Sequence, residues 1–80
     1  MKLPRDLSGR DLAKALRPLG YEVTRQTGSH MRLTTHQNGE HHLTIPDHAP
    51  LRVGTLSGIL DVVAAHFQTN RADLIQQIFK

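Results

Sequence analysis

The 80-residue chain carries ten Lys and Arg against seven Asp and Glu, with six histidines and no cysteine, for a formal charge of +3. A chain of this length makes one domain, 1–80, with a modest core. Without cysteine there is neither a disulfide framework nor a thiolate metal site. The longest apolar runs fall far short of the roughly 20 residues that span a bilayer. Met1–Asp6 lacks the apolar stretch of a secretory signal, so the expectation is a cytoplasmic protein. The positive excess favours a nucleic acid or an acidic protein as partner. It is concentrated early, where Lys2, Arg5, Arg10, Lys14 and Arg17 face only Asp6 and Asp11.

Ser8 followed by Asp11 resembles a capping box with Asp in place of Glu. Leu12, Ala15, Leu16 and Leu19 then recur at helical spacing before Gly20, which predicts a helix over about 9–19 with its last turn curtailed at Pro18. Three strands follow by period-two alternation: Tyr21, Val23 and Arg25 on one face; Met31 and Leu33; then Leu43 and Ile45. A three-residue loop Gln37-Asn38-Gly39 pairs Leu33 with Leu43 and Met31 with Ile45. A loop Gln26-Thr27-Gly28 likewise pairs Val23 with Met31 and Tyr21 with Leu33. The opposite face then collects Glu22, Thr24, His30, Arg32, Thr34, His42 and Thr44, with Glu22 opposite Arg32 and His30 opposite Thr24.

Beyond Pro46 and an irregular stretch, Thr55 is the expected N-cap of a second helix with the stripe Leu56, Ile59, Leu60, Val63 and Phe67. Asn70 and Asp73 open a short third helix over about 70–79 whose apolar residues are Leu74, Ile75, Ile78 and Phe79. The order describes an α+β fold: a helix, a three-stranded antiparallel meander, a helix and a short C-terminal helix, with the helices on one face.

Five of the six histidines lie between residues 30 and 48, and imidazole both gives and takes protons near neutral pH. Gly28 forms a turn, Ser29 adds a hydroxyl, and Arg32 lies two residues beyond His30 on the same strand face. An imidazole beside a guanidinium suits acid–base work on a phosphodiester. A zinc site is disfavoured: adjacent strand residues such as His41 and His42 point to opposite faces, and His36 lies at the far hairpin. His66 is expected to be a polar helix-face residue away from this group. Gly54-Thr55, preceded by Arg52, opens a helix whose free amides suit a phosphate.

Gly28-Ser29-His30, Ile45-Pro46-Asp47-His48, Gly54-Thr55-Leu56 and Ile59-Leu60, in this order and spacing, resemble the HicA toxin family of HicBA toxin–antitoxin modules over roughly residues 8–67. The resemblance implies a fold like a double-stranded-RNA-binding domain. It also implies an mRNA interferase that arrests translation and is neutralised by a HicB antitoxin. His30 matches the family's catalytic histidine, with Gly28 and Ser29 as its motif neighbours. The tail departs from the pattern, since many relatives end soon after the second helix. The resulting expectation is a metal- and cofactor-independent endoribonuclease, with His30 catalytic and Gly28, Ser29, Arg32, Arg52 and Thr55 binding RNA. Its rivals are a non-catalytic RNA-binding module of the same fold and a purely protein-binding domain with a basic face.

Overall fold

The computed structural model describes residues 6–79; Lys2 and Arg5 of the early basic group lie outside them. Ser8 caps helix α1 (Gly9–Ala15) as read: its hydroxyl accepts from the Asp11 N–H, and Asp11 returns the bond to the Ser8 N–H. The helix stops at Ala15, and a single 3₁₀ turn, Arg17–Leu19, takes the place of the expected last turns. Pro18 removes an N–H donor there, and Gly20, left-handed at φ 84°, turns the chain towards the sheet.

Strands β1 (Glu22–Thr27), β2 (His30–Thr35) and β3 (His41–Pro46) form an antiparallel meander in the order β1-β2-β3. The β2–β3 register is the expected one, with Leu33 opposite Leu43 and Met31 opposite Ile45. The β1–β2 register is not. Val23 pairs with Leu33 rather than Met31, and Thr27 rather than Thr24 lies opposite His30. Glu22 faces Thr34 instead of Arg32, and Tyr21 precedes the ladder. Two local features cause the shift. The connection is a two-residue turn, Gly28-Ser29, with positive φ (57°) only at the first residue, the pattern of a type II′ turn. The extra residue is then absorbed by a β-bulge between Val23 and Arg25.

Helix α2 (Val53–His66) begins three residues earlier than an N-cap at Thr55 implies, with Arg52 in the N-cap position and no side-chain cap. Phe67 lies just past its end and is half-buried. Helix α3 (Arg71–Ile78) is capped as expected by the Asn70 side chain on the Asp73 N–H. One core joins the helices to one face of the sheet. Leu12 of α1 and Leu16 at its C-cap, Leu60 and Val63 of α2, and Leu74 of α3 are fully enclosed with Leu33, Ile45 and Tyr21. The α3 stripe is therefore core.

Helix α1 lies very close to the end of β3. A Cβ at Gly9 would run into the Pro46 carbonyl oxygen, and the Gly9 N–H donates to the His48 carbonyl at 2.9 Å. Gly9→Ala should force helix and strand end apart and destabilise the protein by about 1–3 kcal/mol or more. Thermal unfolding should show this as a drop of at least several degrees.

Candidate active site

The Gly28-Ser29 turn is tied to the exit of β3. The Asp47 N–H donates to the Ser29 carbonyl at 2.6 Å, and the Gln26 amide donates at 3.3 Å to both the Gly28 carbonyl and the Asp47 carboxylate. Arg10 grips the same carboxylate through Nε and Nη2 at 3.0–3.2 Å. Its hydrogen bonds hold the Asp47 carboxyl below the usual carboxylate range, with smaller help from its charge, Gln26 and His48. The space beside Gly28 is open, so its positive φ rather than crowding calls for glycine.

His30 opens β2 with an exposed side chain, opposite Thr27 on one neighbour and Pro46 on the other. Alternation puts Arg32 on the same face, flanked by Arg25 and Thr44. The next row along that face is Glu22, Thr34 and His42. A side-chain chain crosses it. Thr24 Oγ1 bonds Thr34 Oγ1 at 3.0 Å, Thr34 bonds His42 Nδ1 at 2.8 Å, and His42 Nε2 donates to Glu40 at 3.0 Å. Arg25, which strict alternation assigns to the apolar face, is turned to the His30 face by the bulge. The only trace of this in the sequence is the loss of apolar residues after Val23, over Thr24-Arg25-Gln26-Thr27.

Gly54 and Thr55, in the first turn of α2, line a groove of about 470 Å³ with His42 and Thr44 of β3. Thr44 is the cross-strand partner of Arg32, so this turn borders the His30 face. The first amides of a helix have no intrahelical partner. Among the expected site residues, Gly28, Ser29, His30 and Arg32 share one end of the sheet and Thr55 stands at its border. Arg52 is exposed at the N-cap, outside that groove. The helix side has its own basic groove of about 680 Å³, where Arg10, Lys14 and Arg17 face Tyr21, Val23 and Met31.

A family model described as the HicA toxin of bacterial toxin–antitoxin systems matches residues 9–63. The chain belongs to the HicA toxin family. It is the toxin of a toxin–antitoxin module, with a cognate antitoxin as partner. The match runs from Gly9 into α2 and leaves α3 outside. No curated protein and no solved structure matched the chain. None of the described helices is long and apolar enough to cross a membrane.

The other histidines of this HicA chain have separate roles. His36 reaches Glu40 at 3.7 Å in the hairpin loop. His41 and His42 do point to opposite faces, but His66 is not isolated. Its ring stacks on His41 at 4.4 Å, and its Nε2–H donates to the Gln37 carbonyl at 3.0 Å. Sequence spacing could not show this, because α2 must first fold back over β3. His41 Nδ1 meets the Tyr21 hydroxyl at 2.7 Å. Burial, then the neighbouring His66 and His42, push the His41 pKa below its ordinary value, and burial pushes Tyr21 up to about 12. Among the described residues, no three His, Asp or Glu side chains converge as a metal site.

A depressed histidine pKa means that the unfolded chain binds protons first as pH falls. The His41 contribution is therefore complete above the unfolded value of about 6.5 and is lost as pH falls through the lower folded value. Melting temperature should decline from pH 7.5 towards pH 5. The decline should be shallower in His41→Gln, which keeps a polar partner for Tyr21 but cannot titrate.

Proposed function

We propose that this toxin is an endoribonuclease that cleaves mRNA by histidine acid–base catalysis and arrests translation in the cytoplasm until a HicB-type antitoxin covers it. The observation that carries the reading is His30 itself. Its imidazole stands exposed on an open sheet face, one alternation step from the Arg32 guanidinium, and makes no hydrogen bond to any described side chain. That is the disposition of a group waiting for substrate rather than of one holding a fold together.

His30 takes the proton from a ribose 2′-hydroxyl, or returns one to the leaving 5′-oxygen. Arg32 neutralises the phosphate as charge builds on it. Ser29 and the Gly28 turn present backbone and hydroxyl to the RNA, and Thr55 and Arg52 extend the contact along the start of α2. His42 has both ring nitrogens engaged, with Thr34 and Glu40. His48 is exposed and follows Asp47, whose N–H is bound to Ser29. The second proton is therefore assigned to His48 in preference to His42. With only Tyr21, Phe67 and Phe79 as aromatics, the protein favours backbone and 2′-hydroxyl contacts over base stacking.

His30→Ala should alter stability by about 0.5 kcal/mol or less and slow cleavage of RNA roughly 10²–10⁴-fold. Growth arrest on expression should disappear while RNA binding persists. His36→Ala, in the remote hairpin loop, should stay toxic. A folded His30→Ala chain that cuts at the wild-type rate would falsify the assignment. An RNA-binding module without catalysis would show salt-dependent binding and no turnover in any variant.

Imidazole chemistry of this kind needs no metal, so cleavage should continue in excess EDTA. Activity abolished by EDTA and restored by zinc or magnesium would contradict it.

A further inference from the structure

Arg25 of β1 and Arg32 of β2 are direct cross-strand partners. Both are exposed, and neither guanidinium has a carboxylate partner among the described residues. Arg10 and Arg71 differ in this, each being held by an aspartate, Asp47 and Asp61. Like charges directly opposed across a strand pair work against the sheet. The juxtaposition follows from the two-residue turn, which sets Thr27 opposite His30, Gln26 opposite Met31 and so Arg25 opposite Arg32. Glu22 pairs with Thr34 and Val23 with Leu33, and a regular continuation of that register would set Thr24 opposite Arg32. Arg25 would then point to the helix side. The β-bulge at Thr24 reconciles the two registers, and it leaves Thr24 hydrogen-bonded across the strands to the Arg32 carbonyl and the Thr34 hydroxyl. Bulges commonly re-aim a side chain in this way.

Deepening the ribonuclease reading, on which it rests, we infer that Arg25 and Arg32 form a two-guanidinium clamp for an RNA phosphate beside His30. The strands lie about 4.8 Å apart, and His30 is two residues, roughly 7 Å, along β2 from Arg32. Two stems rising on either side can each donate to a different non-bridging oxygen of one phosphodiester. A planar carboxylate is satisfied by a single bidentate guanidinium, so the paired arrangement fits phosphate better than an acidic side chain of a protein. The cost of opposing two cations in the free protein is recovered when the anion binds between them. Turn and bulge thus act together: the turn sets the two arginines side by side, and the bulge lets Val23 stay opposite Leu33.

The test uses the inactive His30→Ala chain as parent and measures binding of a labelled RNA oligonucleotide across a salt series. Arg25→Gln should weaken binding about tenfold and reduce the slope of log K against log salt by about one phosphate contact. Ala72→Glu on α3 makes the same change in net charge away from the sheet and should leave the slope unchanged. Arg25→Glu should abolish measurable binding, yet melt no lower than the parent, since an opposite-charge pair replaces the Arg25–Arg32 repulsion. If Arg25→Gln binds RNA like Ala72→Glu, the clamp is wrong while the ribonuclease reading stands. If Arg25→Gln spares RNA binding and weakens only the purified cognate antitoxin, the pair serves a protein carboxylate and the inference is overturned. If the parent shows no salt-dependent RNA binding, the underlying reading fails, and the clamp with it.

Discussion

The close approach of α1 to the end of β3 at Gly9 is the constraint from which the geometry of the site follows. With no side chain at this position, the helix backbone lies against Pro46, and its N–H closes on the His48 carbonyl. Pro46, Asp47 and His48 are thereby fixed against the first turn of α1. Arg10, one residue on, can then reach the Asp47 carboxylate with two donors. Asp47 in turn binds Ser29 through its N–H. One small residue in a helix thus locates the turn that presents His30, although the two lie on different elements and are far apart in sequence.

The sheet divides two kinds of work. Its helix-facing side holds the core, and stability resides there. Its other side carries His30, Arg32, Arg25 and Thr44, none of which is buried. Substitutions on the open side are consequently inexpensive for the fold. The polar chain from Thr24 through Thr34 and His42 to Glu40 stiffens the far end of this face. The stacked His41–His66 pair does the same on the helix side, joining β3 to the end of α2. Neither group includes the exposed imidazole at the turn.

How much of this was legible in the sequence depended on whether the cause was local. The caps at Ser8 and Asn70, the β2–β3 register and the core stripes are written in short spacings, and the structure has them as expected. The β1–β2 register is not legible in this way, because neither the two-residue turn nor the bulge leaves a periodic signature. Thr24-Arg25-Gln26-Thr27 is polar throughout, so nothing apolar marks where the alternation slips. Alternation from Tyr21 and Val23 therefore puts Arg25 on the wrong face. Threonine is a good cap, so the local pattern points to Thr55, whereas the helix begins at Val53 with no side-chain cap. The His41–His66 stack is a tertiary fact, invisible until α2 lies over β3. The exposed place of His30 on the polar sheet face was legible because a glycine, a serine and a histidine in one place form a local pattern. What brings Asp47 and Arg10 to that turn is not local.

Membership of the HicA family establishes a toxin with an antitoxin partner; the chemistry assigned to it rests on the exposed imidazole beside the guanidiniums. The most direct test is the mass of the RNA fragments left by the purified toxin. Attack by the ribose 2′-hydroxyl, with His30 moving the proton, leaves a 2′,3′-cyclic phosphate or 3′-phosphate on one fragment and a 5′-hydroxyl on the other. Fragments ending in 3′-hydroxyl and 5′-phosphate would mean that water attacked the phosphate, and would contradict this account.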